Sequence, residues 1–180
     1  MEKEDDTMKK IGMLLVLIIP ALLFSQTDQK TDKWEPLRFL EGIWEGGEAG
    51  VSKVTQVYQF VLNGNFLHMK TRSEFEPTEK KPEGEIHEDF GIFSYDQRRK
   101  TYVMRGFYVE GFVNTYVMGD MSEDGKDFTF LTEHVENAPE GTKAKLVFKV
   151  LGENEIEQSF HVAFPGREFS CFFIHKLKKR

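Results

Sequence analysis

The polar side chains best suited to binding a small molecule lie inside runs of aromatic and apolar residues. Arg105 lies in one such run, and a guanidinium that faces a protein interior can bind a carboxylate through two parallel hydrogen bonds. Phe112, Asn114 and Tyr116 follow at two-residue spacing, and aromatic rings with one amide and one phenol would suit a pocket of mixed polarity. The alternative is that Arg105 faces solvent and that the other three only fill the interior.

A histidine near the C-terminus is a second candidate. Phe173 and His175 share one face of an apolar run together with Phe169, Cys171 and Leu177, because side chains two apart on a strand point the same way. The spacing therefore predicts that His175 and Phe173 point inward. The alternative is a histidine at the rim that is hydrogen-bonded or solvated.

Other reactive side chains give no positive indication of an enzyme or a metal site. His87 and Asp89 share a strand face, but two ligands do not make a metal site. No serine lies in the Gly-x-Ser-x-Gly turn of hydrolases. The single cysteine, Cys171, rules out a disulfide framework. It is expected to be an inert core residue.

The composition sets limits on the class of protein. The chain has 180 residues, of which 30 are acidic and 24 basic, giving a net charge of −6. Phosphate binding needs a basic surface, so nucleic acid is not expected as a partner. With 39% hydrophobic residues, the chain can form a packed core, and its length suits one domain.

The N-terminus has the pattern of an export signal. Lys9 and Lys10 precede the apolar run 11–24, and Ser25 follows it. This order predicts a signal peptide over 1–25, with the native start at Met8. The alternative, a membrane anchor, is disfavoured because the run is short. We expect a flexible leader over 26–33, export to the periplasm or the extracellular space, and a mature protein that does not span the membrane.

The remaining chain reads as ten short strands with one short helix before them. The link Asn63-Gly64 is a strong hairpin signal, and links this short join antiparallel neighbours. Closure of the sheet into an up-and-down barrel would remove exposed edges. We therefore predict an all-β domain over 34–180, a closed antiparallel barrel with an internal cavity. The predicted strands are 42–50, 53–62, 65–75, 86–95, 100–108, 111–118, 127–134, 142–151, 155–163 and 167–177.

A short motif lies where the predicted helix, 34–41, meets the first strand. It contains Gly42, Trp44 and Gly46 in a Gly-x-Trp-x-Gly string. This string resembles the opening of lipocalin-like barrels and, more closely, of the bacterial barrels grouped with nitrobindin and the haem-binding domain of THAP-type proteins. The segments 84–96 and 107–117 are similar to secreted members of that group, and the resemblance spans 34–180.

Two alternative functions are expected. The predicted ten strands, the cavity and the aromatic-rich inward faces favour a lipocalin-like barrel whose interior binds a small hydrophobic molecule such as a fatty acid or lipid. As in lipocalins, Trp44 would plug one barrel end under a basic side chain of the last strand (Lys176, Lys178 or Arg180). As in nitrobindin, a closing-strand histidine would ligate haem iron, here His175, and the barrel would react with nitric oxide or peroxynitrite. The cofactor is therefore unknown, with haem as the alternative to a lipid ligand.

Overall fold

The computed structural model describes residues 32–180, so the predicted signal peptide and the leader up to residue 31 lie outside the described residues. A 3-10 helix, Glu35–Leu40, precedes ten strands. The ten-strand prediction is confirmed, with bounds shifted by at most three residues. The strands are β1 Gly42–Glu48, β2 Ser52–Val61, β3 Phe66–Phe75, β4 Glu85–Asp96, β5 Thr101–Phe107, β6 Val113–Met121, β7 Asp127–Glu136, β8 Lys143–Gly152, β9 Glu155–Ala163 and β10 Ser170–Lys179.

The strands form a closed barrel in which each strand pairs with its neighbours in sequence and β1 pairs with β10. All ten pairings are antiparallel. The predicted up-and-down barrel is therefore confirmed. The hairpin between β2 and β3 turns at Asn63 and Gly64, which have φ values of +56° and +75°. Glycine and asparagine tolerate these values, which is why this dipeptide marks the turn.

One end of the barrel is filled by aromatic and aliphatic side chains, and we call it the closed half. The 3-10 helix contacts this end: the ring of Trp34 lies 5.5 Å from that of Phe60 and 5.6 Å from that of Tyr102. Phe128 and Phe148 stack at 4.8 Å, nearly parallel. The closed half contains the fully buried residues Trp34, Leu37, Leu40, Trp44, Tyr58, Leu67, Phe93, Phe128, Phe130 and Phe148.

Trp44 is fully buried among these residues. Its indole Nε1 donates a hydrogen bond to the carbonyl oxygen of Leu40 at 2.7 Å. The ammonium of Lys179 lies 5.4 Å from the ring centroid, where a cation is attracted to the ring face. The basic residue over Trp44 is thus Lys179 and none of the three expected ones. The reason is the register, because Trp44 and Lys179 are direct cross-strand partners and share a face.

The seam that closes the barrel is its shortest pairing. Within the described chain, β1 and β10 pair at three positions, whereas β2 and β3 pair at ten. Gly46 lies in this seam, and a methyl group there would be 2.1 Å from the carbonyl oxygen of Lys176. Only glycine permits this approach of the two backbones. Gly42, at the start of β1, has a φ of +128°.

Candidate ligand-binding site

The other end of the interior is lined by polar and partly exposed aromatic side chains, and we call it the open half. Asn114 and Tyr116 lie on β6 and are 4% and 0% exposed. The amide Nδ2 of Asn114 donates to the Tyr116 hydroxyl at 2.8 Å, and the hydroxyls of Tyr116 and Tyr108 are 2.8 Å apart. The Asn114 Oδ1 is buried and has no hydrogen-bond partner among residues 32–180. These three side chains form what we call the Asn114 cluster.

Tyr108, at the end of the predicted strand 100–108, was not among the predicted site residues; in the structure it follows the last residue of β5, Phe107. Its ring packs against Gly106, where a methyl group would lie 2.8 Å from the Tyr108 hydroxyl. The available signal was the two-residue spacing from Met104 and Gly106, which continues the inward face of β5 into the loop. Burial raises the pKa of Tyr108 well above its ordinary value and that of Tyr116 to about 12. Both phenols are therefore uncharged at neutral pH.

A pair of glutamines crosses the interior between the closed half and the Asn114 cluster. The Nε2 of Gln56 donates to the Oε1 of Gln158 at 2.5 Å, and the hydroxyl of Tyr58 donates to the Oε1 of Gln56 at 3.0 Å. These amides join β2 to β9, strands that are not neighbours in the sheet. They satisfy each other in a buried position, which makes the interior polar without adding charge.

Asp89 is a carboxyl group on the same side of the barrel wall as the Asn114 cluster. It is the cross-strand partner of the buried Thr71 and therefore faces the interior. Its Oδ1 accepts a hydrogen bond from the backbone N–H of Val109 at 3.0 Å. Desolvation nevertheless raises the pKa of Asp89, and the nearby Glu110 adds to this effect. The partly buried surroundings of Asp89 thus disfavour its ionised form.

His87 lies between two carboxylates at the mouth of the open half. Its Nε2 is 3.1 Å from Glu85 and its Nδ1 is 3.0 Å from Glu110. Both ring nitrogens are thus engaged by single carboxylates rather than by a converging set. Among residues 32–180, no group of three or more His, Cys, Asp or Glu side chains could hold a metal ion.

His175 and Phe173 lie on the interior side of β10. His175 is the cross-strand partner of the buried Gln158. The ring of Phe173 stacks on that of His175 at 4.3 Å and on that of Phe160 at 5.4 Å. Burial lowers the pKa of His175, so the imidazole is neutral at pH 7. Phe173 remains 37% exposed, which leaves an aromatic surface at the mouth.

A β-bulge in β10 separates Cys171 from this inward face. The register of β10 against β9 shifts between Cys171 and Phe173, and Phe172 between them is 57% exposed. The extra residue reverses the alternation, so Cys171 is exposed. The expectation of a buried Cys171 on the face of Phe173 is therefore wrong.

Two other predicted contacts lie outside the interior. Arg105 is exposed on the outer wall, because its neighbours Met104 and Gly106 occupy the inward positions of β5. The expectation that Arg105 faces the interior is corrected by this alternation. Phe112 is 38% exposed in the loop between β5 and β6, so it lies at the mouth and not beside Asn114 within the barrel.

Two shallow recesses lie on the outer wall. One, of about 390 Å³, is lined by Phe66, Ile92, Ser94, Asp96, Arg99, Val103 and Arg105. The other, of about 410 Å³, is lined by His68, Lys70, Glu88, Asp89 and Phe90. Arg99 in the first is already paired with Asp96 and Glu133, and Lys70 in the second with Glu88. Their charged groups are therefore largely matched within the chain.

Exposed apolar side chains gather around the open end. The loops there and the adjoining strand ends carry large hydrophobic residues that are 37% to 57% exposed. The mouth is thus apolar at its rim and polar at depth. These rim residues are Val51, Phe75, Ile86, Val109, Phe112, Phe164, Phe172 and Phe173.

Comparison with known proteins leaves the family open. No protein-family model matches the chain, and no curated protein is significantly similar to it in sequence. No helix among residues 32–180 has the length and apolar character needed to cross a bilayer.

Proposed function

We propose that the protein is an exported, lipocalin-like barrel that binds a small hydrophobic molecule through its open half. The observation that carries the proposal is the contrast within the open half, where partly exposed aromatic rings surround a buried polar cluster. Small-molecule sites are commonly built this way, from apolar walls and a few polar groups that fix orientation. Phe173 and Phe160 would contact the apolar part of the molecule, and the Asn114 cluster would lie deeper.

The rim supports the same proposal. Large apolar side chains on a soluble surface are costly when they are contiguous, and such patches commonly mark interaction sites. Here they surround the one end of the barrel that the 3-10 helix does not contact. An apolar molecule entering from this end would meet Phe112, Phe164 and Phe173 first.

Extraction of the purified protein with organic solvent, followed by mass spectrometry, tests this function. We expect a co-purifying apolar molecule, or, after delipidation, saturable binding of the neutral fluorescent probe N-phenyl-1-naphthylamine. Phe173→Ala should weaken probe binding because it removes an aromatic wall. Leu151→Ala is the control, since Leu151 is an apolar residue, 50% exposed, at the opposite end. No extracted molecule and no saturable probe binding would overturn the proposal.

Haem binding is the second candidate, and His175 is the observation that favours it. Its imidazole faces the interior, is kept neutral by burial, and makes no hydrogen bond or ion pair with any group in residues 32–180. A neutral imidazole is the form that ligates haem iron, so the side chain fits an axial ligand, with Phe173 as an apolar neighbour. Bound haem would supply an iron centre for reaction with nitric oxide or peroxynitrite, as the resemblance implies.

A visible-absorption titration with ferric haem separates the two candidates. Haem ligation predicts a shifted Soret band in the wild type that His175→Ala abolishes. His161→Ala is the matched control, because His161 lies on the outer face of β9 and its Nε2 is 2.9 Å from the Ser159 hydroxyl. A spectrum that is the same in the wild type and in His175→Ala would remove the haem candidate.

A further inference from the structure

The buried polar residues of the barrel share one property, which is that none carries a charge. Within residues 32–180, the buried polar side chains are Gln56, Thr71, Ser73, Asn114, Gln158 and Ser159. No lysine or arginine of this range is buried. Transfer of a carboxylate to such an interior would leave it without a cation, and the cost of an unpaired buried charge is high.

The Asn114 cluster has hydrogen-bonding capacity that the chain does not use. The Oδ1 of Asn114 is buried and unpartnered, and a buried acceptor without a partner is costly. The Asn114 amide carries two hydrogens and each phenol carries one, whereas the cluster holds only two internal hydrogen bonds. The cluster can therefore both accept from and donate to a further group.

Asp89 adds a negative group to the same region. Its carboxylate adds, after desolvation, to the raised pKa of both Tyr108 and Tyr116, and in its ionised form it would repel an anionic ligand. Glu85 and Glu110 lie at the mouth. Glu110 is paired with His87, and Glu85 is paired with His87 and Lys81. An anion entering the open half would thus pass carboxylates and, within residues 32–180, reach no buried lysine or arginine.

We propose that the open half selects amphiphiles with an uncharged head group, such as a hydroxyl or a carboxamide, and disfavours fatty-acid anions. This inference rests on the proposed ligand-binding function and narrows its ligand class. The head group donates to the Oδ1 of Asn114 and accepts from the one phenol hydroxyl whose hydrogen is free, while the apolar chain contacts Phe173 and the rim.

A series of amphiphiles with one chain length and different head groups tests the inference. Displacement of N-phenyl-1-naphthylamine from the delipidated protein at pH 8 would be measured for dodecanamide, dodecanoate and dodecylammonium. We expect dodecanamide to displace the probe at a concentration about tenfold lower than dodecanoate. Dodecylammonium should be weaker than dodecanamide, because its head group cannot accept a hydrogen bond.

Two variants test the assigned groups independently. Asn114→Leu should lower the affinity for dodecanamide by about tenfold and leave the affinity for dodecanoate unchanged. Asp89→Asn should raise the affinity for dodecanoate, because it removes the repulsion while keeping an acceptor for the Val109 N–H. This variant still tests the inference if Asn114→Leu fails to fold. Asn65→Leu is the matched control, since Asn65 is exposed in the loop between β2 and β3 at the other end of the barrel and its side chain bonds only to the Leu62 carbonyl.

The outcomes distinguish the inference from the function on which it rests. Binding of dodecanoate as tight as, or tighter than, dodecanamide would overturn the head-group inference and leave ligand binding intact. Tightest binding of dodecylammonium would also overturn it and would point to Asp89 as a counter-ion. Absence of saturable binding for the probe and for every amphiphile would overturn both.

Discussion

The closed and open halves of the barrel are built on the same ten strands, yet their interiors follow opposite rules. In the closed half, Trp44, Phe128 and Phe148 are fully buried and interlock with each other or with the 3-10 helix. In the open half, the buried groups include the amide of Asn114 and the phenol of Tyr116, and Phe173 is partly exposed. The apolar packing that stabilises the barrel is thus concentrated in the closed half, and the proposed binding site lies in the open half.

The division has a physical basis. Burial of apolar area stabilises the fold in proportion to the area removed from water, whereas a buried polar group contributes little even when it is well paired. The closed half can therefore sustain an open half that retains an unpartnered acceptor, the Oδ1 of Asn114.

The largest effect is expected from the same substitution made in each half. Phe148→Ala removes a fully buried ring that stacks on Phe128, and we expect it to lower the free energy of unfolding by about 3–5 kcal/mol. Phe173→Ala, at a 37% exposed position, should cost much less. Urea denaturation followed by circular dichroism measures both. Equal losses would contradict the division into two halves.

A smaller effect is expected when one hydroxyl is removed from the Asn114 cluster. Tyr116→Phe takes away the partner of both Tyr108 and the Asn114 Nδ2, so the free energy of unfolding should fall by about 1–3 kcal/mol. Tyr95→Phe serves as the control, because the Tyr95 hydroxyl makes no hydrogen bond within residues 32–180. If both variants unfold at the same urea concentration as the wild type, the two hydrogen bonds of the Tyr116 hydroxyl do not stabilise the folded protein.

The pH dependence of stability should differ between the halves because Asp89 lies in the open one. Desolvation raises its pKa in the folded protein, with Glu110 adding to the rise and the Val109 N–H and His87 opposing it. The ionised carboxylate therefore lowers stability above that raised pKa. Asp89→Asn should be more stable than the wild type at pH 7, and the gap should close as the pH falls to about 3.8. A gap that widens on acidification would contradict this assignment.

The smallest effect is expected at His175. Burial lowers its pKa from the ordinary value of 6.5, so the unfolded chain takes up a proton at a higher pH than the folded one does. The wild type should thus lose stability relative to His175→Gln as the pH falls below about 6.5, and the two should run parallel above it. Thermal unfolding between pH 5 and 8 measures the difference. Parallel curves over the whole range would show that His175 is solvated.

Much of the fold was predictable from the sequence because turn residues and alternation are local signals. Asn63 and Gly64 marked a hairpin, and their positive φ values are the reason the pattern was informative. Ala144, Leu146 and Phe148 alternate with lysines and are buried as the alternation indicated. These patterns depend only on neighbours in the chain.

The interior of the open half was less predictable, because it depends on register and on breaks in alternation. Arg105 could be assigned to either face until the register of β5 was known. The bulge in β10 moved Cys171 to the surface without any signal in residue type. Tyr108 lies beyond its strand, and its role follows from Gly106 leaving room for the ring. Each of these is set by contacts between strands, which a single sequence does not reveal.

The three-residue seam between β1 and β10 determines where the barrel should first open. The other nine pairings have five to ten positions each, so the barrel should open first between β1 and β10, where the fewest backbone hydrogen bonds break. On the N-terminal side of this seam, residues 170–176 of β10 have no partner on β1. Their unpaired backbone groups lie next to the apolar side chains of Phe172 and Ile174, which are 57% and 58% exposed. That edge is a template for another extended chain, so concentrated protein should first self-associate there, and amides of β10 should exchange with deuterium before those of β2 and β3.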